Sequence, residues 1–70
     1  MEKCWAAIIW AYLTLRDHKD YWLFDRDYKR KFEILEEAAT NFNKDYTNDT
    51  VEYMASIAEY MFEAHSRIFG

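Results

Sequence analysis

Between Tyr21 and Phe42 the apolar residues Tyr21, Phe24, Tyr28, Phe32, Leu35, Ala39 and Phe42 fall at spacings of three and four, the pattern of one face of a helix. A second run repeats it: Val51, Met54, Ala58, Met61, His65 and Ile68 form a stripe. Ala55, Phe62 and Phe69 widen that stripe on one side, and Tyr53, Ile57, Tyr60 and Ala64 widen it on the other. The resulting arc covers roughly 220°, against the 100° or so of a one-sided surface helix. Only Glu52, Ser56, Glu59, Glu63, Ser66 and Arg67 keep to the polar remainder. Near the N-terminus, Trp5, Ile8, Ile9, Trp10, Tyr12, Leu13 and Leu15 point nearly all round the axis, which predicts a helix buried on every side.

The pattern predicts three helices, over about 3–16, 20–45 and 49–69. Asp17-His18-Lys19-Asp20 interrupts the first two as a polar turn, with Asp20 as N-cap of the second. Starting that helix early sets Asp25 against Lys29 and Asp27 against Lys31 as i,i+4 pairs. A start near Tyr28 would crowd Lys29, Arg30 and Lys31 into a first turn that disfavours cations. The polar stretch Asn43 to Asn48 reads as the next connection. Asp49-Thr50-Val51-Glu52 then has the form of a capping box for the third helix.

Composition decides the class. There is no proline, and the one glycine is Gly70, so the Asn-Gly, Asp-Gly and Gly-X turns of tight hairpins are absent. The Gly-rich loops of nucleotide enzymes are absent with them. The expected fold is all-α: a three-helix bundle, or a helical hairpin with a buried N-terminal helix, forming one domain over 1–70. A domain this small buries only about 60% of its unfolded surface, and the single cysteine, Cys4, rules out an internal disulfide. A lone thiol suits a reducing compartment. The apolar run 4–13 is shorter than the ~20 residues of a bilayer span and lacks signal-peptide flanks, so a mature cytoplasmic chain without a membrane span is expected. Rings make up 14 of 70 residues, more surface than one small core hides. A homodimer is therefore expected, with Trp5, Ile9, Trp10, Ile57 and Phe62 at its interface.

Charge is unevenly placed. Residues 1–31 carry a net +2 and residues 32–70 a net −6, giving −4 overall, so the C-terminal half presents an acidic surface. Arg26, Lys29, Arg30 and Lys31 around Tyr28 are offset by Asp25 and Asp27, and the sequence pI is near 5.0. Direct nucleic-acid binding is not expected of such a domain.

Candidate chemistry is sparse. Cys4 with His18 or His65 could suggest a thiol nucleophile, but Cys4 heads the most apolar segment and reads better as a small hydrophobe. His65 lies mid-stripe with Phe62 three residues before it, where the di-metal pattern Glu-x-x-His needs a carboxylate; a hydrogen-bonded core histidine is the better reading. The Asp17, His18, Asp20, Asp25, Asp27 cluster and the stretch Asn43 to Glu52 both lack the glycine of a calcium loop. No catalytic residue, metal or cofactor is assigned, and the protein reads as non-enzymatic.

The expected function is docking on a protein partner through apolar and aromatic helix faces with acidic flanks. Aromatic residues anchor interfaces, and the candidates are Tyr21, Trp22, Leu23, Tyr53 and Tyr60, with Glu52, Glu59 and Glu63 beside them. For Trp22 the competing reading is that it folds back to close the bundle's end. Small, acidic, aromatic-rich helical chains occur among phage and mobile-element proteins that block host machinery; the likeness is one of composition, without a shared motif. Two alternatives come from other classes: an acidic surrogate occupying a nucleic-acid-binding groove, and a purely structural homo-oligomer.

Overall fold

A computed structural model describes residues 2–22, 24–41 and 44–69. Among these residues the structure is helical without strands, in the order α1 (Glu2–Arg16), α2 (Lys19–Trp22), α3 (Arg26–Thr40) and α4 (Asn48–Phe69). No helix in the described residues is long and apolar enough to cross a membrane.

α1 packs most extensively on α4, and then on α3. Trp5 near the start of α1 meets Tyr46 just before α4, with ring centroids 5.7 Å apart. His18 after α1 meets His65 near the end of α4. α1 and α4 therefore run parallel, and α3 returns antiparallel between them. The seam is built from Ile8, Ala11 and Leu15 of α1, Phe32, Leu35 and Ala38 of α3, and Val51, Met54, Ala58, Met61 and His65 of α4. Ile8, Leu15, Leu35 and Met61 are fully enclosed, each contributing about 1.5–3 kcal/mol of transfer free energy.

The second predicted helix is divided. Asp25 breaks it by acting as the N-cap of α3: its Oδ1 accepts from the backbone N–H groups of Asp27 (3.0 Å) and Tyr28 (3.3 Å). A carboxylate so engaged does not join Lys29, and the expected Asp25–Lys29 pair is absent among the described ion pairs. The companion pair forms, with Lys31 Nζ 2.6 Å from Asp27. Asp25 and Asp27 also answer the electrostatic objection to a start beside Arg26. α1 and α3 each have 15 residues, about 22 Å, whereas α4 has 22 residues and spans the 32 Å long axis. The short α2 covers the end of α4 that α3 does not reach. Phe24, expected on the core stripe, is consequently 95% exposed.

Two further boundaries differ. α3 ends at Thr40, before residue 45, with the Asn41 N–H closing on the Glu37 carbonyl at 2.9 Å. Phe42 of the predicted stripe lies outside the described residues. At the head of α4, Thr47 rather than Asp49 supplies the cap: its Oγ1 accepts from the Thr50 N–H at 3.2 Å and hydrogen-bonds the Thr50 hydroxyl at 2.8 Å.

Candidate functional site

The expectation that α1 is buried on all sides fails. Three helices give α1 neighbours on one side only, so Ile8, Ala11 and Leu15 are buried while Ala6, Ile9, Trp10 and Leu13 face outward. Trp10 is 65% exposed. Beside it, on the side away from α3, α1 and α4 leave a groove of about 370 Å³. Ala7 and Ala58 form its floor, Trp10 and Phe62 its ring-bearing walls, and Glu59, Glu63 and Ser66 its α4 rim. The geometry follows from the sequence register. Alanine at 7 and 58 lets the channel sink between the helices, and α4's polar residues recur at 59, 63 and 66 along its edge. Glu63 accepts from Arg67 at 3.0 Å, an i,i+4 pair. Glu59 has no ion-pair partner among the described residues.

Compared with protein-family models, curated proteins and solved structures, the chain matches none. The reading of this site rests on its geometry.

The structure sorts the candidate interface residues. Trp22, expected to anchor a partner, is only 8% exposed, stacked on Tyr28 at 4.2 Å and edge-on to Tyr21. The end of α2 folds it back onto the bundle, where it is core. Its indole N–H is buried without a hydrogen-bond partner among the described residues. Ile57, expected at a dimer interface, is likewise buried in the core, because α3 covers that flank of α4. Trp5 is half-buried against Tyr46. Leu23 lies outside the described residues. Tyr21 is exposed but lies edge-on to Phe69. Tyr53 and Tyr60 are exposed, and Tyr60 stacks toward Tyr28 with Lys31 Nζ 4.9 Å from its ring centre. Burial, chiefly, and then the neighbouring Tyr60 raise the Tyr28 hydroxyl above its ordinary value. Glu52, Glu59 and Glu63 are exposed along one edge of α4. Of the predicted residues, the groove joins Trp10, Phe62, Glu59 and Glu63. Ala7, Ala58 and Ser66 complete it without having been singled out. Their sequence signal is small residues facing each other across two apolar helices, which becomes visible only once α1 and α4 are known to pair.

A second cluster closes the far end of the bundle. His65 Nε2 and His18 Nδ1 are 2.9 Å apart, joined by a hydrogen bond. Phe69 stacks on His18 at 4.0 Å and leans on His65 at 4.8 Å. Burial, with a smaller contribution from His18, lowers the pKa of His65. The predicted core histidine thus has its partner 47 residues away. Among the described residues no three His, Cys, Asp or Glu side chains converge as a metal site would need. Cys4 is half-buried against the core.

Proposed function

We propose that the protein is a non-enzymatic binding module that docks on a protein partner through the outward face of α1 and the groove beside it. One observation carries this reading. An indole at 65% exposure stands in a helix whose neighbouring outward residues, Ala6, Ile9 and Leu13, are also apolar. Tryptophan is among the residues that most often carry the binding energy of an interface. The acidic edge of α4 would set orientation and on-rate more than affinity.

Affinity capture from native lysate tests the reading, with the wild-type chain, Trp10→Ala and Glu59→Lys as baits of verified helicity. A protein held by the wild type should be lost to Trp10→Ala, with roughly thirtyfold weaker binding for an anchor contributing about 2 kcal/mol. Capture unchanged by Trp10→Ala would sink the proposal. Loss on Glu59→Lys alone, with binding that collapses as salt rises, would favour the nucleic-acid surrogate instead.

Homodimerisation through α1 is the second reading, supported by Ala6, Ile9 and Leu13 running along one face. Ile9 and Leu13 are each only about two-fifths exposed. A stable interface buries ~800 Å² per partner, so a dimer resting on these side chains alone would be weak.

A further inference from the structure

We propose that the His18–His65 pair is an acid-released latch: it holds α2 at the end of α4, and protonation of both rings frees α2 from a still-folded bundle and brings Trp22 to water. This goes beyond the docking reading and does not depend on it. The pair joins segments far apart in the chain, with His65 Nε2 2.9 Å from His18 Nδ1. Phe69 braces it, stacking on His18 at 4.0 Å and meeting His65 at 4.8 Å. Tyr21 of α2 sits edge-on to the same Phe69 at 5.1 Å, so α2 leans on the latch directly.

α2 has few other anchors among the described residues. Its four residues are too few for a helix to persist alone. The extensive packing joins α1, α3 and α4, which carry the largest fully enclosed side chains, Ile8, Leu15, Leu35 and Met61. α2 adds one core residue, Trp22, resting on Tyr28 at 4.2 Å. The Trp22 indole N–H is buried without a hydrogen-bond partner among the described residues. Opening gives it one from water, which offsets part of the lost stacking. Segments so lightly held open locally, at less cost than global unfolding.

Protons act in two stages. The bond needs one ring nitrogen to accept, and a first proton on a nitrogen outside the bond leaves it intact. A single imidazolium at His18 also lies against the Phe69 ring, a favourable cation–π arrangement. The second proton puts N–H groups on both facing nitrogens and two like charges side by side, and the bond is lost. Burial, and then His18, already disfavour charge on His65. The surrounding charges do not compensate. Arg16 at the end of α1 lies over Tyr12, and Asp17, Lys19 and Asp20 flank His18 in the chain. On α3, Lys31 is paired with Asp27, the Tyr28 hydroxyl is raised, and Lys29 lines a small recess beside Trp22 with Lys19, Glu33 and Glu36. On α4, Glu63 is paired with Arg67. Among the described residues none of these groups hydrogen-bonds or ion-pairs with either ring.

The test uses the full chain with Trp5→Phe and Trp10→Phe, which leaves Trp22 as its one tryptophan. Emission and acrylamide quenching are followed from about pH 7.5 to about pH 5, above the carboxylate range, with far-ultraviolet circular dichroism alongside. Emission should move to the red and quenching should rise, reversibly, while the helical signal is kept. The open form holds one proton more than the singly protonated latch, so the open-to-closed ratio should grow by up to about tenfold per pH unit. In the wild-type chain the His18 and His65 ring protons should titrate by NMR over the same interval. His18→Gln and His65→Gln keep a hydrogen-bonding side chain without the titration, and each should remove the acid response. A response that survives in both variants would overturn the latch. Helicity lost together with the emission change would overturn it too, because the bundle would then be unfolding as a whole. Should the variants fail to fold, the wild-type ring titrations decide: a Trp22 change outside their interval, or Trp22 still enclosed with both rings charged, would refute the proposal.

Discussion

Trp10 and Trp22 are the same residue type with opposite roles, and burial assigns them. Trp22 is enclosed between Tyr28 and Tyr21, so Trp22→Ala opens a cavity and should cost about 3–5 kcal/mol. That is a large part of the 5–15 kcal/mol available to small domains, and urea unfolding would show it as a collapsed midpoint. Trp22→Phe should cost clearly less, since it keeps a ring on Tyr28 and removes an indole N–H that is buried without a partner among the described residues, a defect worth about 1–3 kcal/mol. Equal losses for the two variants would mean that the ring contributes no packing. Trp10→Ala, by contrast, should change the midpoint by no more than about 0.5 kcal/mol, as exposed substitutions do.

The helices owe their ends to single side chains. Asp25→Ala removes the acceptor for two N–H groups and should cost about 0.5–2 kcal/mol, with hydrogen exchange accelerated at Asp27 and Tyr28; unchanged protection there would refute the cap. The junction between the α1–α2 turn and α4 depends on protons. The 2.9 Å His18–His65 bond needs one ring nitrogen to accept, so two imidazoliums cannot form it. His65 lies below the ordinary histidine pKa of about 6.5 because burial, and secondarily His18, disfavour its charged form. Asp17 and Lys19 flank His18, Tyr21 packs on Phe69, and Glu63 is paired with Arg67. None of these hydrogen-bonds either ring among the described residues. The sign follows from linkage: the unfolded chain binds the proton more readily, so stability is full above about pH 6.5 and falls as pH drops toward the folded-state pKa. Urea midpoints at pH 7.5 and 5.5 should therefore decrease for the wild type and change less for His65→Gln. Parallel pH profiles for the two would remove His65 as the cause.

The molecule as a whole is compact: its radius of gyration is 11.4 Å, against about 11 Å expected for 70 residues. The uncovered face of α1 is thus a feature of a closed bundle. With Ile57 withdrawn into the core and Trp5 engaged with Tyr46, the residues expected at a dimer interface that stay exposed are Ile9 and Trp10, with Phe62 half-buried. Light scattering at ten micromolar or so should give a mass close to the 8.6 kDa chain, rising only at much higher concentration. A stable particle of twice that mass in dilute solution would place a second copy on α1.

The sequence by itself determined the helical class, the α1 and α4 boundaries to within a residue or so, and the core seam of α4. These follow from local causes: the missing turn glycines, the three-four spacing, and the polar breaks at Asp17–Asp20 and near Asn48. It also placed His65 in the core. It misplaced what depends on which helices meet. A Trp-rich helix that is apolar all round looks the same in sequence whether its neighbours enclose it or cover one side. Only packing exposed Trp10 and enclosed Trp22. Asp25 could have paired with Lys29 or capped a new helix, and in the structure it caps α3. The groove and the histidine pair were beyond reach for the same reason. Ala7 with Ala58, and His18 with His65, are distant in the chain and become neighbours only when α1 and α4 pack in parallel.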